Sequence, residues 1–437
     1  MRHPIIARVI LRQSPSLLAS FRSPLVLSFL VALSIVAGAA ATAPAVHANT
    51  ITVTGSGDTL SNNGVCTIRE AIINANNNAA TWADCAAGAG ADTINLPAGT
   101  ITLSIPNTPS AFSAEELSLR GDLDITSALT INGHTGGTII NGAALDRIFD
   151  INPDVDGDGA TPTPLITVHL NDLTITNGRQ NDVGAVRVLA NAVVTIDNST
   201  ISNSVSWAND SGGIYNIGTL TMTNCTVSGN SSLLLAGGIK NEGNMTLQSC
   251  TVTNNHTTGG TPTRGQGIGG YGPPVKLRNT IIAANFAGRP DMEGSFESGG
   301  WNIIGSIKDG VNTIATITPN PGTADQIGVT TAQVHLGPLA ANGGPTPTHE
   351  LVSPSIAIDK GKSFGVTHDQ RHLTRPSDNA AIVNAAGGDG ADVGAFEVQA
   401  SCGKPDDCCC RRVGRRLVGT CCPKTPPPQI RMPSRTQ

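Results

Sequence analysis

A repeat of about 26 residues runs through the middle of the chain and constrains the fold more than any other feature. Its first positions in register are Val168, Val194, Leu220, Met245 and Val275, so the successive steps are 26, 26, 25 and 30 residues. This period is longer than a hairpin requires and is typical of one coil of a β-solenoid. One coil cannot bury its own apolar side chains, so stability accrues as coils stack.

Apolar and polar residues alternate within each copy of the repeat. Successive side chains of a strand leave opposite faces, so we expect the apolar set to point inward. Each coil should supply about three short strands, and crossover chirality favours a right-handed coil. We therefore predict an all-β protein, a right-handed parallel β-helix with a short N-terminal capping helix. The expected inward residues are Val194, Ile196, Ile201, Leu220, Met222, Val227, Met245, Leu247 and Val252.

Asparagine recurs at the expected corners of the coil. Asn tolerates left-handed backbone angles and bonds to its own turn, which a tight corner needs. Asn216 and Asn241 follow a repeated Gly-Gly-Ile motif by two residues, so we expect them to point inward and stack. The expected first-corner residues are Asn198, Asn224, Ser249 and Asn279, and the second-corner residues are Asn230, Asn255 and Asn285.

The ten cysteines fall into three groups. Cys66 and Cys85 lie close together near the N-terminus and would pair in an oxidising compartment. Cys225 and Cys250 are one repeat apart, so they are either stacked buried thiols or a disulfide between coils. The other six lie in the tail, where irregular spacing gives little indication of a zinc site.

The N-terminus has the pattern of an export signal. Arg2, Arg8, Arg12 and Arg22 precede an uncharged stretch from Pro24 to about Ala45, and small residues at Val46 and Ala48 suit signal peptidase cleavage after Ala48. We predict a signal peptide over 1–48, with an uncleaved signal anchor as the alternative. The mature protein would then be secreted or held at the cell surface, with no further membrane span.

Charge is distributed unevenly along the chain. The net charge is -5, residues 1–48 carry four Arg and no acid, and residues 401–437 carry eight Lys or Arg and two Asp, which leaves -15 on residues 49–400. Nucleic-acid binding needs a basic face, so this body excludes nucleic acid as a partner. It suits an extracellular protein, which we expect to be a monomer. The tail, 399–437, is rich in Cys, Arg and Pro, and we expect it to be disordered.

The stretch from Cys66 reads C-T-I-R-E-A-I and resembles the CSLREA motif of exported bacterial β-helix proteins. The resemblance implies an N-terminal cap over 49–105, and we predict a short amphipathic helix from Thr67 to about Asn76. The helix would cover the open first coil, and the segment from Ala91 would supply the first strands. Arg69 and Glu70 are expected to form ion pairs within this cap, with catalysis as the alternative.

Residues 336–398 resemble the domain called choice-of-anchor Q. The segments that carry the resemblance are LGPLAANGGPTPTHEL from Leu336, SPSIAIDKG from Ser353, HDQR from His368 and DVGAFE from Asp392. The resemblance implies that a surface-attachment signal follows, but no LPXTG-like motif or terminal apolar helix is visible. Within this segment we expect turn capping and ion pairing, with catalysis as the alternative, for His349, Asp359, Asp369, Arg371 and Asp392.

The predicted β-helix repeats occupy 106–335 and contain two candidate sites. Asp154, Asp156 and Asp158 alternate with Gly in D-x-D-G-D-G, a pattern in which three carboxylates converge on calcium. Position twelve of the loop is Leu165 in place of a bidentate Glu, so a solvated acidic turn is the alternative. No other cofactor is indicated.

Arg187, Tyr215 and Lys240 follow the glycine motif at one equivalent position, so we expect a solvent-facing stripe. Aromatic and cationic side chains together suit carbohydrate contact. Arg187 or Lys240 would be the base of a lyase acting on acidic polysaccharide, although no nearby acids for calcium are evident. An ordinary charged surface is the third interpretation of the stripe.

These observations leave three functions open. The Gly-Gly-Ile repeats also resemble polymorphic outer membrane protein repeats, which implies an adhesive or structural surface protein. The second function is binding of an extracellular polysaccharide or cell-surface glycan without turnover. The third is a pectate lyase-like polysaccharide lyase. One scaffold hosts many functions, so the fold alone does not choose among them.

Overall fold

The structure is a computed structural model that describes most of the chain after the N-terminal region. The described residues do not include residues 1–47 of the predicted signal peptide, the calcium candidates Asp156 and Asp158, or the tail cysteines. No described helix has both the length and the apolar character that crossing a bilayer requires. The described residues are 48–107, 117–154, 164–208, 210–259, 264–319 and 324–399, with two further strands, Arg411–Val413 and Arg416–Val418, in the tail.

Four ladders of short parallel strands run along the body, and they are numbered here by their order within a coil. The first ladder supplies the widest wall, because its strands are four to six residues long in most coils. It comprises Thr50–Thr52, Asp92–Asn95, Leu129–Asn132, Ile166–Asn171, Ala192–Asp197, Thr219–Thr223 and Asn244–Gln248.

The second ladder follows the first after a tight corner, and a third, shorter ladder follows the second. The second comprises Gly99–Thr102, Thr138–Asn141, Leu173–Thr176, Thr200–Ser202, Thr226–Ser228, Thr251–Thr253, Ile281–Ile282, Ile303–Ile304 and Gln326–Ile327. The third comprises Arg179–Gln180, Val205–Ser206, Ser231–Ser232 and His256–Thr257.

The fourth ladder closes each coil. It joins the first ladder at the long strand Ile268–Arg278, which pairs with the last strand of each ladder, Ile239–Asn241 and Asn244–Gln248. The best-formed coils therefore contain four strands, one more than the repeat predicts. The fourth ladder comprises Leu123–Ile125, Phe149–Ile151, Val186–Val188, Ile214–Asn216 and Ile239–Asn241, and the merged sheet continues through Met292–Ser298 and Ala315–Pro319.

Strand register confirms the predicted stacking. Val194 pairs with Val168 on one side and Leu220 on the other, and Leu220 pairs with Met245. Each is at most 3% exposed and belongs to one continuous apolar core. The all-β parallel β-helix is therefore confirmed, and burial of these columns holds the coils together.

The corners differ in part from the prediction. Asn198, Asn224, Ser249 and Asn279 all have φ near 50°, the left-handed angles expected of a tight first corner. At the second corner the left-handed residues are instead Gly229, Asn254 and Ala284, each one position before the residue expected there, and Asn203 has the same conformation one coil earlier.

Asn230, Asn255 and Asn285 turn inward and form an amide ladder. The Nδ2 atom of Asn230 donates to Oδ1 of Asn255, and Asn255 donates to Asn285, each over 3.0 Å. Asn216 donates to Asn241 over 2.6 Å in a second buried ladder. Stacking therefore supplies acceptors for side-chain amide N–H groups that burial would otherwise leave unpaired.

Cys225 and Cys250 are both free thiols and completely buried. The residues that follow them, Thr226 and Thr251, pair in register, so the two cysteines occupy successive coils. Of the two alternatives, the structure has the stacked thiols. Burial raises the pKa of the Cys225 thiol, and its neighbour Cys250 adds to the effect.

The cap helix runs from Ile68 to Asn77 and is closed at its start by a capping box between Thr67 and Glu70. Cys66 and Cys85 form a disulfide beside it. The first strand of the body is Thr50–Thr52, which precedes the cap, so the segment from Ala91 supplies the second strand and not the first.

Residues 336–398, here called the strap, pack along the outer face of the second ladder. A strap hairpin pairs Leu336–Ala340 with Thr348–Leu351. Gln370 Nε2 donates to Thr200 Oγ1 over 2.7 Å, and Thr226 Oγ1 donates to Gln370 Oε1 over 2.6 Å. The outward Thr and Ser residues of this ladder are therefore buried, although their alternation predicts an exposed face.

The polar landmarks of the strap form caps and ion pairs. Asp369 pairs with Arg371 and accepts from the backbone of Leu373, and Asp392 accepts from the backbone of Asp359 over 2.7 Å. His349 is buried, with Nε2 2.8 Å from the Ser228 hydroxyl and Nδ1 2.7 Å from the carbonyl oxygen of Gly337. Burial lowers the pKa of His349.

Candidate functional site

The outward positions of the fourth ladder form a polar stripe in strict register. Asp124 pairs with Asp150, Asp150 with Arg187, Arg187 with Tyr215, and Tyr215 with Lys240. Parallel pairing places equivalent side chains about 4.8 Å apart, so the five side chains follow one line along the body. We call this line and the residues bonded to it the polar stripe.

The start of the polar stripe is acidic and buried. One carboxylate oxygen from each of Asp122, Asp124 and Asp150 lies within 4.8 Å of the others, and all three residues are buried. The loop before the strand helps to hold them, because Ser118 N donates to Asp124 Oδ2 over 2.6 Å.

Two arginines neutralise this acidic group. Arg147 Nη1 donates to Asp122 and to Asp150, each over 2.8 Å, and Arg187 Nε donates to Asp150 over 2.9 Å. Arg187 Nη1 also donates to Asp182 over 3.0 Å. The two guanidinium groups therefore bridge three carboxylates, those of Asp122, Asp150 and Asp182.

The pKa values follow this pairing. Burial raises the pKa of Asp122 well above its ordinary value, although the charge of Arg147 opposes the rise. Burial would raise the pKa of Asp182 too, but the charges of Arg147 and Arg187 outweigh it, and the pKa is lowered. Burial lowers the pKa of Arg187, but Asp150 outweighs it and raises the value, so Arg187 is fully protonated at neutral pH.

The middle of the polar stripe joins an aromatic ring to a cation and two acids. Lys240 Nζ lies 4.2 Å from the Tyr215 ring centroid and pairs with Asp210 over 2.8 Å and Glu242 over 3.0 Å. The Tyr215 hydroxyl donates to Glu242 over 2.7 Å. Burial lowers the pKa of Lys240, but the hydrogen bonds to Asp210 and Glu242 outweigh it and raise the value. Burial and the bond to Glu242 raise the pKa of Tyr215 to about 12.

A second tyrosine, again with a cation near its ring and a glutamate at its hydroxyl, lies near the far end of the polar stripe. The Tyr271 hydroxyl donates to Glu293 over 2.9 Å, Arg264 donates to Glu293 over 2.9 Å, and the Arg264 guanidinium lies 6.0 Å from the Tyr271 ring. Gly269, in register with Lys240, leaves room for this ring, because a Cβ there would lie 2.6 Å from Tyr271 Cε2.

Two sequence expectations about this face are wrong. Lys240 does not face solvent, because its side chain is only 8% exposed beneath its two acidic partners. Acids near Arg187 are present, since Asp150 and Asp182 lie within hydrogen-bonding distance. Arg187 and Tyr215 share the predicted register and are half-buried.

The acidic residues were missed because their coils lie before the clear repeat. The signal that locates them is the pair of triplets Leu-Asp-Ile at Leu123–Ile125 and Phe-Asp-Ile at Phe149–Ile151, which lie one repeat apart. Buried carboxylate oxygens are ligands that calcium prefers. Asp122, Asp124 and Asp150 therefore form the group of described residues best suited to a hard cation, and the candidate Asp154 follows the same strand by three residues.

The comparison with protein families supports this fold. The family described as "Right handed beta helix region" matches residues 161–300. The crystal structure of pectate lyase Pel9A is similar at 11% identity and a TM-score of 0.38, over 81% of this chain and 97% of that chain. No curated protein matches the sequence. The family match and the ladders of parallel strands together define a right-handed parallel β-helix, with the polar stripe along its fourth ladder.

Proposed function

We propose that the protein is exported to the cell surface or the extracellular medium and binds glycan chains along the polar stripe without cleaving them. The signal-like N-terminus and the disulfide between Cys66 and Cys85 support export. The stripe follows the long axis of the stacked coils, so it offers an extended chain several contacts in a row.

The placement of the tyrosines is the observation that carries this proposal. The chain has only two tyrosines, and both lie on this stripe, each with its hydroxyl on a glutamate and a cation near its ring. Fixed rings present apolar faces to sugar rings at little entropic cost, and the flanking acids and cations offer hydrogen bonds to hydroxyl groups.

Charge pairing favours binding over turnover. A lyase base must lose its proton, whereas Arg187 and Lys240 are held protonated by carboxylates on both sides. The stripe therefore supplies hydrogen-bond donors and acceptors with fixed positions, as a binding surface requires.

Affinity electrophoresis of the purified protein through gels containing neutral or acidic polysaccharides tests the proposal. We expect retardation by at least one polysaccharide, and a loss of about fivefold or more in affinity for Y215A and for Y271A. W207A is the matched control, because Trp207 is 54% exposed and follows a strand of the third ladder. If both tyrosine variants bound with the affinity of the wild type, the polar stripe would not be the glycan-binding site.

A polysaccharide lyase is the second candidate, because Arg187 does lie beside carboxylates that suit calcium. Incubation with pectate and calcium, followed by ultraviolet absorbance of unsaturated products, separates the two functions. If the wild type formed unsaturated products and R187A did not, the protein would be a lyase and the binding proposal would be wrong. Retardation without product would support binding.

A further inference from the structure

A group of histidines and aspartates lies where the strap crosses the corner between the first and second ladders. His368 and His372 belong to the strap, and Asp172 and Asp197 belong to adjacent coils of the body. His372 Nε2 is 2.7 Å from Asp172 Oδ1, a contact across 200 residues of sequence. The rings of His368 and His372 are 5.7 Å apart between centroids and tilted by 32°.

The fourth residue of the group, Asp197, is placed beside Asp172 by the stacking of the coils. Asp172 N donates to Asp197 O over 3.1 Å, so these aspartates sit on successive coils. The His368 carbonyl oxygen accepts from Asn224 Nδ2 over 3.0 Å, which fixes the strap on the next coil. His169 points outward two residues before the end of its strand and contributes to the electrostatics around Asp197.

The spacing of the two imidazole rings suits one metal ion. With zinc–nitrogen bonds of about 2.0–2.1 Å and near-tetrahedral angles, two bound imidazoles have ring centroids about 5–6 Å apart. The His372 side chain is 41% exposed and Asp172 is 23% exposed, so an ion from solvent can reach them. His368 completes the set when its exposed ring turns away from Thr367, whose Oγ1 lies 3.1 Å from His368 Nδ1.

The electrostatics are consistent with a shared site. His372 Nε2 donates to Asp172 Oδ1 over 2.7 Å, and Asp197 lies on the next coil, where its backbone carbonyl accepts from Asp172 N. A bound cation would take the place of the proton between His372 and Asp172 and would favour the ionised form of Asp197.

We propose that His368 and His372, together with Asp172, bind a divalent transition-metal ion of the class that imidazole prefers, zinc first. Asp197 supplies the fourth ligand or orients the others. Because the ligands come from both the strap and the body, the ion fastens the strap across the second ladder. The imidazole ligands distinguish this site from the group of carboxylates in the polar stripe, which suits calcium.

Zinc titration of the purified protein against a chromophoric chelator tests the site. Accessible thiols are alkylated first and calcium is kept in excess, so that tail cysteines and carboxylate groups do not compete. We expect one zinc ion per chain, a rise in melting temperature with zinc, and a loss of affinity of at least tenfold in H368Q/H372Q and in D172N. H134Q and D309N change an exposed and a partly exposed residue elsewhere on the surface, and both variants should bind zinc as the wild type does.

A footprint on the wild-type protein gives a second test that does not depend on a variant folding. Histidines are ethoxycarbonylated with diethylpyrocarbonate, and the modified residues are located by mass spectrometry. We expect zinc to protect His368 and His372 and to leave His134 reactive. Equal modification of His368 and His372 with and without zinc, or unchanged zinc affinity in H368Q/H372Q, would overturn the proposal.

Discussion

Arg375 Nε donates to Glu397 Oε2 over 2.8 Å, and both side chains are completely buried within the strap. Arg375 also donates to the carbonyl oxygen of Gly394 over 2.7 Å and to Asn224 Oδ1 of the body over 3.2 Å. This one guanidinium therefore satisfies a buried carboxylate and joins the strap to the coils beneath it.

We expect R375M to lower the free energy of unfolding by about 3–5 kcal/mol, because the buried Glu397 carboxylate keeps the backbone donors of Ser377 and Asp392 but loses its counter-charge. Urea denaturation followed by circular dichroism measures the change. The control is R264M, which removes a partly exposed ion pair with Glu293 and should cost less than about 1 kcal/mol. Equal costs in the two variants would contradict the role given to Arg375.

The strap also predicts a pH dependence. Burial, and the nearby charge of Glu397, raise the pKa of Asp392 to about 8, against an ordinary value near 4. Between these values the folded state holds a proton that the unfolded state has lost. Stability should therefore fall as pH rises from about 4 to 8, by at most about 1.4 kcal/mol per pH unit from this group, and then level off.

The comparison of wild type with D392N across that pH range isolates the contribution of Asp392. The variant has no proton to lose at this position, so its stability should decline less steeply, even though it gives up an acceptor for the backbone of Val398. Parallel slopes for the two proteins would show that Asp392 titrates normally.

Much of the body could be predicted from the sequence because its interactions are periodic. Val194, Leu220 and Met245 must be apolar at one spacing, since each is buried against the next coil. The same logic located the shared register of Arg187, Tyr215 and Lys240. Periodicity says which side chains stack, and it leaves open what lies over them.

The rest depends on contacts that no local pattern records. Thr200 and Thr226 alternate as exposed residues would, yet Gln370 of the strap buries them from about 144–170 positions away. The acids around Arg187 come from Asp150, one coil earlier, and Asp182, in an irregular loop. Insertions between the early coils break the spacing that would have aligned them.

The inner amide ladder should be sensitive to a single change. Asn255 Nδ2 donates to Asn285 Oδ1 and to Val227 O, and its Oδ1 accepts from Asn230. N255A leaves several buried polar groups unpaired, so we expect a loss of about 2–4 kcal/mol in unfolding free energy. N254G is the matched control, because Asn254 is exposed and has a φ of 57° that glycine adopts freely, and it should be nearly neutral.

The stacked thiols predict slow chemistry in the native state. Cys225 and Cys250 are fully buried, and the pKa of Cys225 is raised, so little thiolate is present or accessible. We expect both to resist iodoacetamide in buffer and to react fully in denaturant, as located by mass spectrometry of their peptides. Resistance that persists in denaturant without reductant would instead indicate a disulfide between the coils.

The cap depends on Arg69, whose five N–H groups all have acceptors. Its Nε and Nη2 donate to Asp58, and its remaining donors reach the carbonyl oxygens of Ser118, Gly121 and Asp122. Lysine has three donors and no planar fork, so R69K cannot satisfy this set. We expect R69K to cost about 3–5 kcal/mol and to loosen the cap first, which limited proteolysis within 50–120 would detect.

An exposed first coil would also offer its unpaired strand edge to a second molecule, so R69K should self-associate in light scattering at protein concentrations where the wild type does not. R179K is the control, because Arg179 is exposed at the start of the third ladder.

The Asp122 main chain is held by Arg69 while its carboxylate is held by Arg147, so loosening the cap should also weaken the acidic end of the polar stripe. A destabilised R69K that stays monomeric would mean that the cap helix does not protect this edge.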